Sequence, residues 1–203
     1  MVSNLKPINP FTNLLFRAHY DGDLSIVKQK AMELCMSVPD EYILEKGGGR
    51  STYDAHSTVL DLPECADLQQ WLVEQSKLVW HLWKIQDLPR YAGRSWFNWH
   101  PKGAWTDEHD HGATHLVMAM YIHQPANGGN IQFRDPLQYA WASYPKLWDH
   151  RYDWRTVKVE TGDVLFFPGF LRHKTEVNES DDGRIVLSAN VTIDFFGRHD
   201  NVV

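Results

Sequence analysis

Cysteine is scarce in this chain, and its two copies, Cys35 and Cys65, show no paired spacing. That argues against a disulfide scaffold, a CxxC redox motif and a cysteine-built zinc site, and leaves two reduced core thiols in a protein read as cytosolic. Long apolar runs are missing as well. The N-terminal MVSNLKPINPFTN has no signal core, and no window approaches the roughly 18 to 20 apolar residues of a membrane helix. A soluble protein without a membrane partner is therefore expected. No Lys/Arg run offsets a formal charge of −6, which removes the electrostatic basis for general binding to nucleic acid. Repeats and low-complexity stretches are also lacking, and the Pro/Gly clusters are short enough to be turns.

With 203 residues the chain can bury a sizeable core without staples. The expected organisation is a single domain over 1–203: a helical buttress to about residue 90, a β-rich core over about 91–195, and a tail over 196–203. Behind Asp23, a suitable cap, Leu24, Val27, Ala31, Leu34 and Cys35 recur at helical spacing. A second helix is predicted from about Pro63 to Ile85, with Leu68, Trp71, Leu72, Leu78, Val79, Leu82 and Ile85 as its apolar stripe. From Tyr91 onward come eight short β-like runs, near 92–100, 104–111, 115–123, 129–134, 155–160, 163–168, 171–177 and 184–195. This pattern predicts a mostly β fold with helices packed on one face, a jelly roll or barrel of eight core strands.

Histidine and the aromatics are plentiful: eleven histidines, nine tryptophans and an aromatic share of 13%. Their placement decides whether they are core or chemistry. Strand side chains alternate between faces. In HLVMAMYIH, Leu116, Met118, Met120 and Ile122 form one apolar face, with His115, Val117, Ala119, Tyr121 and His123 opposite. In RIVLSANVTI the apolar set is Ile185, Leu187, Ala189, Val191 and Ile193, and Arg184, Val186, Ser188, Asn190 and Thr192 take the other side. The greasy faces suit the helices; the mixed faces either line a polar cavity or meet water. In TDEHDHGATH, Thr106 to His115, the same parity puts His109 and His111 on one face, and Glu108 and Asp110 on the other. Two imidazoles at i and i+2 need only one further ligand to hold a metal of borderline softness. His173, after the apolar run and Pro-Gly turn of TGDVLFFPGFLRH, is the candidate third ligand. Arg184 opens the last strand on its mixed face. A buried guanidinium there needs an anion, either a ligand carboxylate or a neighbouring Asp181 or Asp182.

The order and spacing of HxH, MAMYI, GGNIQFRDP, GDVLFFPGFLRH and RIVLSAN resemble the 2-oxoglutarate/Fe(II)-dependent oxygenases of the prolyl-hydroxylase-like class, which share a double-stranded β-helix. The likeness covers roughly residues 90–195. It implies Fe(II) and 2-oxoglutarate as cofactors, His109 and His173 as iron ligands, and Arg184 as the clamp for the distal carboxylate of 2-oxoglutarate, with Ser188 and Tyr121 as helpers. It further implies dioxygen and a peptide or small-molecule substrate, hydroxylated with release of succinate and carbon dioxide; a homodimer stays open. The superfamily has HxD or HxE where this chain has HDH. The second ligand is then His111, unless a bulge turns Asp110 inward.

Two other readings remain open. GAWTDEHDH also resembles the first motif of three-histidine cupins, metalloenzymes that work as dioxygenases or isomerases without 2-oxoglutarate, although His115 replaces their usual glutamate. A barrel binding zinc without catalysis would need a fourth ligand, such as His115 or His123. The long connection from Pro136 to Arg155 carries Tyr139, Trp141, Tyr144, Trp148, Tyr152 and Trp154, either a substrate lid or a barrel plug.

Overall fold

A computed structural model describes residues 14–39, 47–85, 90–137 and 153–193. Its elements in chain order are β1 (Phe16–His19), α1 (Ser25–Ser37), β2 (Arg50–Ser51), α2 (Ala66–Leu82), β3 (Arg90–His100), β4 (Leu116–His123), β5 (Ile131–Arg134), β6 (Trp154–Val157), β7 (Asp163–Phe167), β8 (His173–Thr175) and β9 (Arg184–Ile193). The strands form a six-stranded sheet in the order β1-β7-β4-β9-β3-β2 and a three-stranded sheet in the order β6-β5-β8. Each pair of neighbouring strands is antiparallel.

The predicted mostly β fold with helices on one face is what forms. Leu116, Met118, Met120 and Ile122 of β4 and Ile185, Leu187, Ala189 and Val191 of β9 share one buried cluster with Val27, Ala31, Leu68, Leu72, Val79 and Trp80 of the helices. Val117, Ala119, Tyr121 and Val186 face the other way, into a second cluster with Ile131, Phe133 and Phe167. The parity of the two strands therefore sorts helix-facing from cavity-facing residues, and register locks the sorting. Met118 opposes Ala189 and Met120 opposes Leu187, so a one-residue slip would send each apolar set to the polar face.

Seven of the eight expected runs are strands, and 104–111 is the exception. Of a ladder it keeps one isolated bridge, His109 to His173. The segment lacks apolar alternation, and it bends at Gly103 and Gly112, whose positive φ angles of 83° and 55° suit glycine. Its backbone is spent piecemeal: Trp105 N–H on Gly47, His111 N–H on Gly169 and Thr114 N–H back on His111. Two strands were not expected. β1 and β2 come from the supposedly helical first third and extend the edges of the large sheet, but four and two residues are too short to show a period.

Both helices form, with shifted details. Leu24 occupies the cap position of α1, one residue after the expected Asp23, which accepts from the backbone N–H of Ser25 at 2.8 Å. The predicted second helix begins as a 3₁₀ turn over Pro63–Cys65 and becomes α-helical only at Ala66. Its stripe runs through Leu68, Leu72, Ser76, Val79 and Trp80, while Leu78 and Leu82 are each 58% exposed. Ser76 takes a place in the buried stripe, its hydroxyl bonded to the Val73 carbonyl, and the two leucines fall beside it. Cys35 and Cys65 are free and buried, and desolvation pushes their thiols up to about 12 and about 11. Among the described residues no helix is long and apolar enough to cross a membrane. Tyr139, Trp141, Tyr144, Trp148 and Tyr152 lie outside the described residues. Trp154 opens β6, with Lys174 Nζ 4.2 Å above its ring.

The packing predicts that Leu187→Ala costs about 2–5 kcal/mol, whereas Leu78→Ala stays within about 0.5 kcal/mol. Urea denaturation of the two variants checks this, and equal losses would contradict the assignment of faces.

Candidate metal centre

His109 and His173 are held together by the main chain. Each donates its backbone N–H to the other's carbonyl, at 3.0 and 2.9 Å, which sets their ring centroids 4.2 Å apart. His111 reaches the same point from the far side of Asp110, its ring stacked at 5.2 Å on His173 and flanked by Trp96. One nitrogen from each of the three rings lies within 4.8 Å of the other two.

The orientation of each ring follows from its other nitrogen. His109 Nδ1 sits 2.8 Å from the carbonyl of Asp107, His173 Nδ1 2.9 Å from the carbonyl of Leu171, and His111 Nδ1 2.8 Å from Asn190 Oδ1. Carbonyl and amide oxygens only accept, so each ring carries its proton on Nδ1 and turns the Nε2 lone pair to the shared point. Acceptors of this kind raise ligand basicity and fix the tautomer a metal requires. Desolvation, reinforced by the neighbouring rings, lowers His111 to about 4 and His173 to about 3, so both are neutral donors at pH 7.

The flanking carboxylates are engaged elsewhere. Glu108 binds Arg134 at 2.8 Å and Arg172 at 3.0 Å, and the exposed Asp110 accepts from Gly112 N–H at 3.0 Å. Neither joins the cluster, and neither do His115 or His123; the latter is 2.6 Å from Asp182. One other trio of potential ligands occurs among the described residues: His19, Glu160 and Asp163. Its buried Asp163 is already bonded to His19 and to the backbone N–H of Glu160.

The triad borders a cavity of about 620 Å³, a size that suits a small organic ligand. Its walls combine apolar Val117, Ala119, Ile131, Phe167 and Val186 with polar Asn98, Tyr121, Thr175 and Ser188. Tyr121 and Ser188, expected as helpers, are thus beside the triad. Burial raises the Tyr121 phenol above its ordinary range, so it stays protonated.

Arg184 differs from expectation. It is fully buried and lies behind the cavity lining rather than in it. Nη1 donates to the carbonyls of Gly128, Gly129 and Glu176, at 2.7, 3.2 and 3.2 Å, and Nη2 to Thr175 Oγ1 at 2.8 Å. The rival partners are taken, Asp181 by Lys102 and Asp182 by His123. Among the described residues this buried cation has no carboxylate within ion-pair distance, and Glu176 supports its charge from farther away. Sequence reasoning passed over two residues. Asn190 was on the mixed face but received no role, and His100, inward by the alternation of 92–100, was not singled out.

A family model described as "Putative 2OG-Fe(II) oxygenase" matches residues 94–190. No curated protein matches. Among solved structures, a Pseudomonas putida prolyl-4-hydroxylase is similar at 13% identity over 89% of this chain and 92% of its own, with a TM-score of 0.58. HygX from Streptomyces hygroscopicus, solved with nickel, 2-oxoglutarate and hygromycin B, is 15% identical over 91% and 85%, with a TM-score of 0.57. The non-heme alpha-ketoglutarate-dependent carbocyclase SnoK of nogalamycin biosynthesis is 14% identical over 90% and 80%, with a TM-score of 0.61. At these identities the structures establish a shared fold, that of the double-stranded β-helix.

Two predictions follow from the ring orientations. His111→Ala should abolish tight binding of Ni(II) in chelator competition, Asn190→Ala should weaken it about 10- to 100-fold, and Asp110→Ala should leave it unchanged. Loss of binding in the Asp110 variant alone would overturn the ligand assignment. The metal-free protein should also lose stability as pH falls from 6.5 to 5. His100, His111 and His173 have depressed folded pKa values, so the unfolded chain takes up their protons first, at up to about 1.4 kcal/mol per pH unit for each. His19, raised by its bond to Asp163, works the other way at one site against three. A urea midpoint that stays level or rises over that window would contradict the neutral-imidazole assignment.

Proposed function

We propose that the protein is a 2-oxoglutarate/Fe(II)-dependent dioxygenase that hydroxylates a small molecule or a peptidyl residue, a reading supported by the family model that matches residues 94–190. The observation that carries this reading is the convergence of three Nδ1-anchored imidazoles beside a cavity backed by a buried arginine. His109, His111 and His173 would hold Fe(II), a donor set compatible with that borderline ion. When bound, the metal and 2-oxoglutarate supply the chemistry by which dioxygen hydroxylates a C–H bond, with succinate and carbon dioxide released.

The chain's own work is to bind, orient and exclude water. Three neutral imidazoles bring no negative charge, so a dianionic cosubstrate balances the metal better here than in a site with a carboxylate ligand. The positive Arg184 region is suited to the distal carboxylate, and the apolar wall of Val117, Ala119, Ile131 and Val186 to the methylene chain. No side chain need act as acid or base. HygX was solved with hygromycin B and SnoK is described as a carbocyclase, so C–H chemistry on a small molecule is as compatible with this cavity as peptidyl hydroxylation.

The all-histidine donor set also favours a second reading, the three-histidine cupin enzyme that uses no 2-oxoglutarate. One experiment separates the two. Anaerobic titration of the Fe(II) protein with 2-oxoglutarate should raise a weak visible charge-transfer band, and admitting dioxygen should produce succinate. No band and no succinate would leave the cupin reading in place. Arg184→Gln should weaken 2-oxoglutarate binding on the order of 100-fold, the scale for truncating one partner of a buried charge pair, while the variant still binds Ni(II). Unchanged cosubstrate affinity would remove Arg184 from this role.

A further inference from the structure

Three aspartates line the cavity, Asp54, Asp107 and Asp110, and all three are exposed. Among the described residues no lysine or arginine joins them in the lining. The accessible rim of the cavity is therefore acidic. Asp107 and Asp110 belong to the segment of the metal ligands, and each already takes a hydrogen bond from it, Asp107 from Trp105 Nε1 at 2.8 Å and Asp110 from Gly112 N–H at 3.0 Å. Asp54 differs. It comes from the turn after β2 and has neither a hydrogen bond nor an ion pair among the described residues.

The backbone nevertheless holds Asp54 in place. The wholly buried Thr52 donates its N–H to the Phe97 carbonyl at 2.9 Å, and its Oγ1 accepts the Phe97 N–H at 3.0 Å. The Thr52 carbonyl closes the turn by accepting from the N–H groups of Ala55 and His56, and Ser95 N–H holds the Ser57 carbonyl at 2.7 Å. Both ends of the turn are thus tied to β3, which keeps Tyr53 and Asp54 in the cavity wall.

An aromatic surface joins this turn to the metal triad. Trp96 stacks on His111 with centroids 5.9 Å apart, Tyr53 meets Trp96 edge-on at 4.8 Å, and Asp54 follows Tyr53 in the chain. Aromatic faces attract cations, and Tyr53 already carries one, the Arg94 guanidinium 4.9 Å from its ring centroid and outside the lining. A cationic group in the cavity is repelled by a divalent metal and drawn to the carboxylates. Its place is therefore the rim. An anionic substrate would meet three like charges there, and a neutral one gains nothing from Asp54.

We propose that the substrate carries a protonated amine or guanidine, that Asp54 receives this cation at the rim, and that Tyr53 and Trp96 flank the rest of the molecule on its way to the metal triad. This rests on the oxygenase reading above. It adds a substrate class and a specificity-determining residue with no part in holding the metal or the cosubstrate. A free alkyl cation and a lysyl or arginyl side chain of a peptide share this chemistry.

Two pairs of probes separate charge from shape, and a guanidinium stays protonated, so it does not ligate the metal. N-Butylguanidine is compared with N-butylurea, and the blocked tripeptide acetyl-Ala-Arg-Ala-amide with its citrulline counterpart, by calorimetric titration into Ni(II)-loaded protein without 2-oxoglutarate. In at least one pair the wild type should bind the cation about 10-fold more tightly than its neutral isostere, through an ion pair together with aromatic contact. A preference in the butyl pair points to a free molecule, and one confined to the tripeptides to a peptidyl side chain. Asp54→Asn should cut the preference about 5-fold, the upper end for an exposed ion pair, while leaving affinity for the neutral isostere and for Ni(II) unchanged. Asp54→Glu should restore most of it. No preference in either pair, or one that survives Asp54→Asn, would overturn the proposal. Because these titrations omit 2-oxoglutarate, the oxygenase reading fails separately, through a missing charge-transfer band and missing succinate.

Discussion

The site depends on one reciprocal backbone pair, the exchange of N–H···O bonds between His109 and His173. The segment that carries His109 and His111 is not a strand and has no ladder to fix its direction. This bridge, supported by Thr175 N–H on the Thr106 carbonyl at 3.1 Å, ties it to β8. β8 in turn pairs with β5, where Phe133 opposes His173 and stands beside its ring. From the large sheet, Asn190 of β9 reaches across to fix His111. The triad thus draws on both sheets, and its geometry is only as firm as their packing through Phe167, Ile131 and Val117.

The cavity is polarised along its length. At one end three imidazoles offer lone pairs; at the other lie a buried cation and the Thr175 hydroxyl bonded to it. Apolar side chains of β4, β5, β7 and β9 separate the two ends. A ligand that chelates a cation at one end and presents an anion at the other matches this arrangement, and 2-oxoglutarate has that form. Neither end is a surface feature. The Arg184 end is made from inward-facing positions of β3 and β9, strands of the large sheet whose other face holds the helices, whereas the metal end joins the irregular 104–111 segment to β8 of the small sheet.

Much of this could be read from the sequence because strand parity is a simple rule. β4 and β9 alternate cleanly, and their cavity faces, including Tyr121, Ser188 and the position of Arg184, follow from counting by two. His109 and His111 were grouped by the same count, yet the segment is irregular. Backbone bonds to Gly169 and His173, together with Asn190, deliver the rings to one point where a regular pleat was expected. What stayed hidden depended on partners distant in the chain. The short β1 and β2 have too few residues to show a period, and only their pairing with β7 and β3 defines them. The exposure of Leu78 and Leu82 reflects where α2 meets the sheet, which spacing alone does not determine. Arg184 faces inward as expected, but its retreat behind Thr175 results from the carbonyls of Gly128 and Gly129, brought to it by a turn after β4.

The most direct measurement is a crystal structure grown anaerobically with Fe(II) and 2-oxoglutarate. The account predicts iron bound by the Nε2 atoms of His109, His111 and His173, with the distal carboxylate of 2-oxoglutarate at the Arg184 end of the cavity. Iron ligated by Asp110, or a cavity that takes the metal but leaves the Arg184 end without a carboxylate, would contradict it.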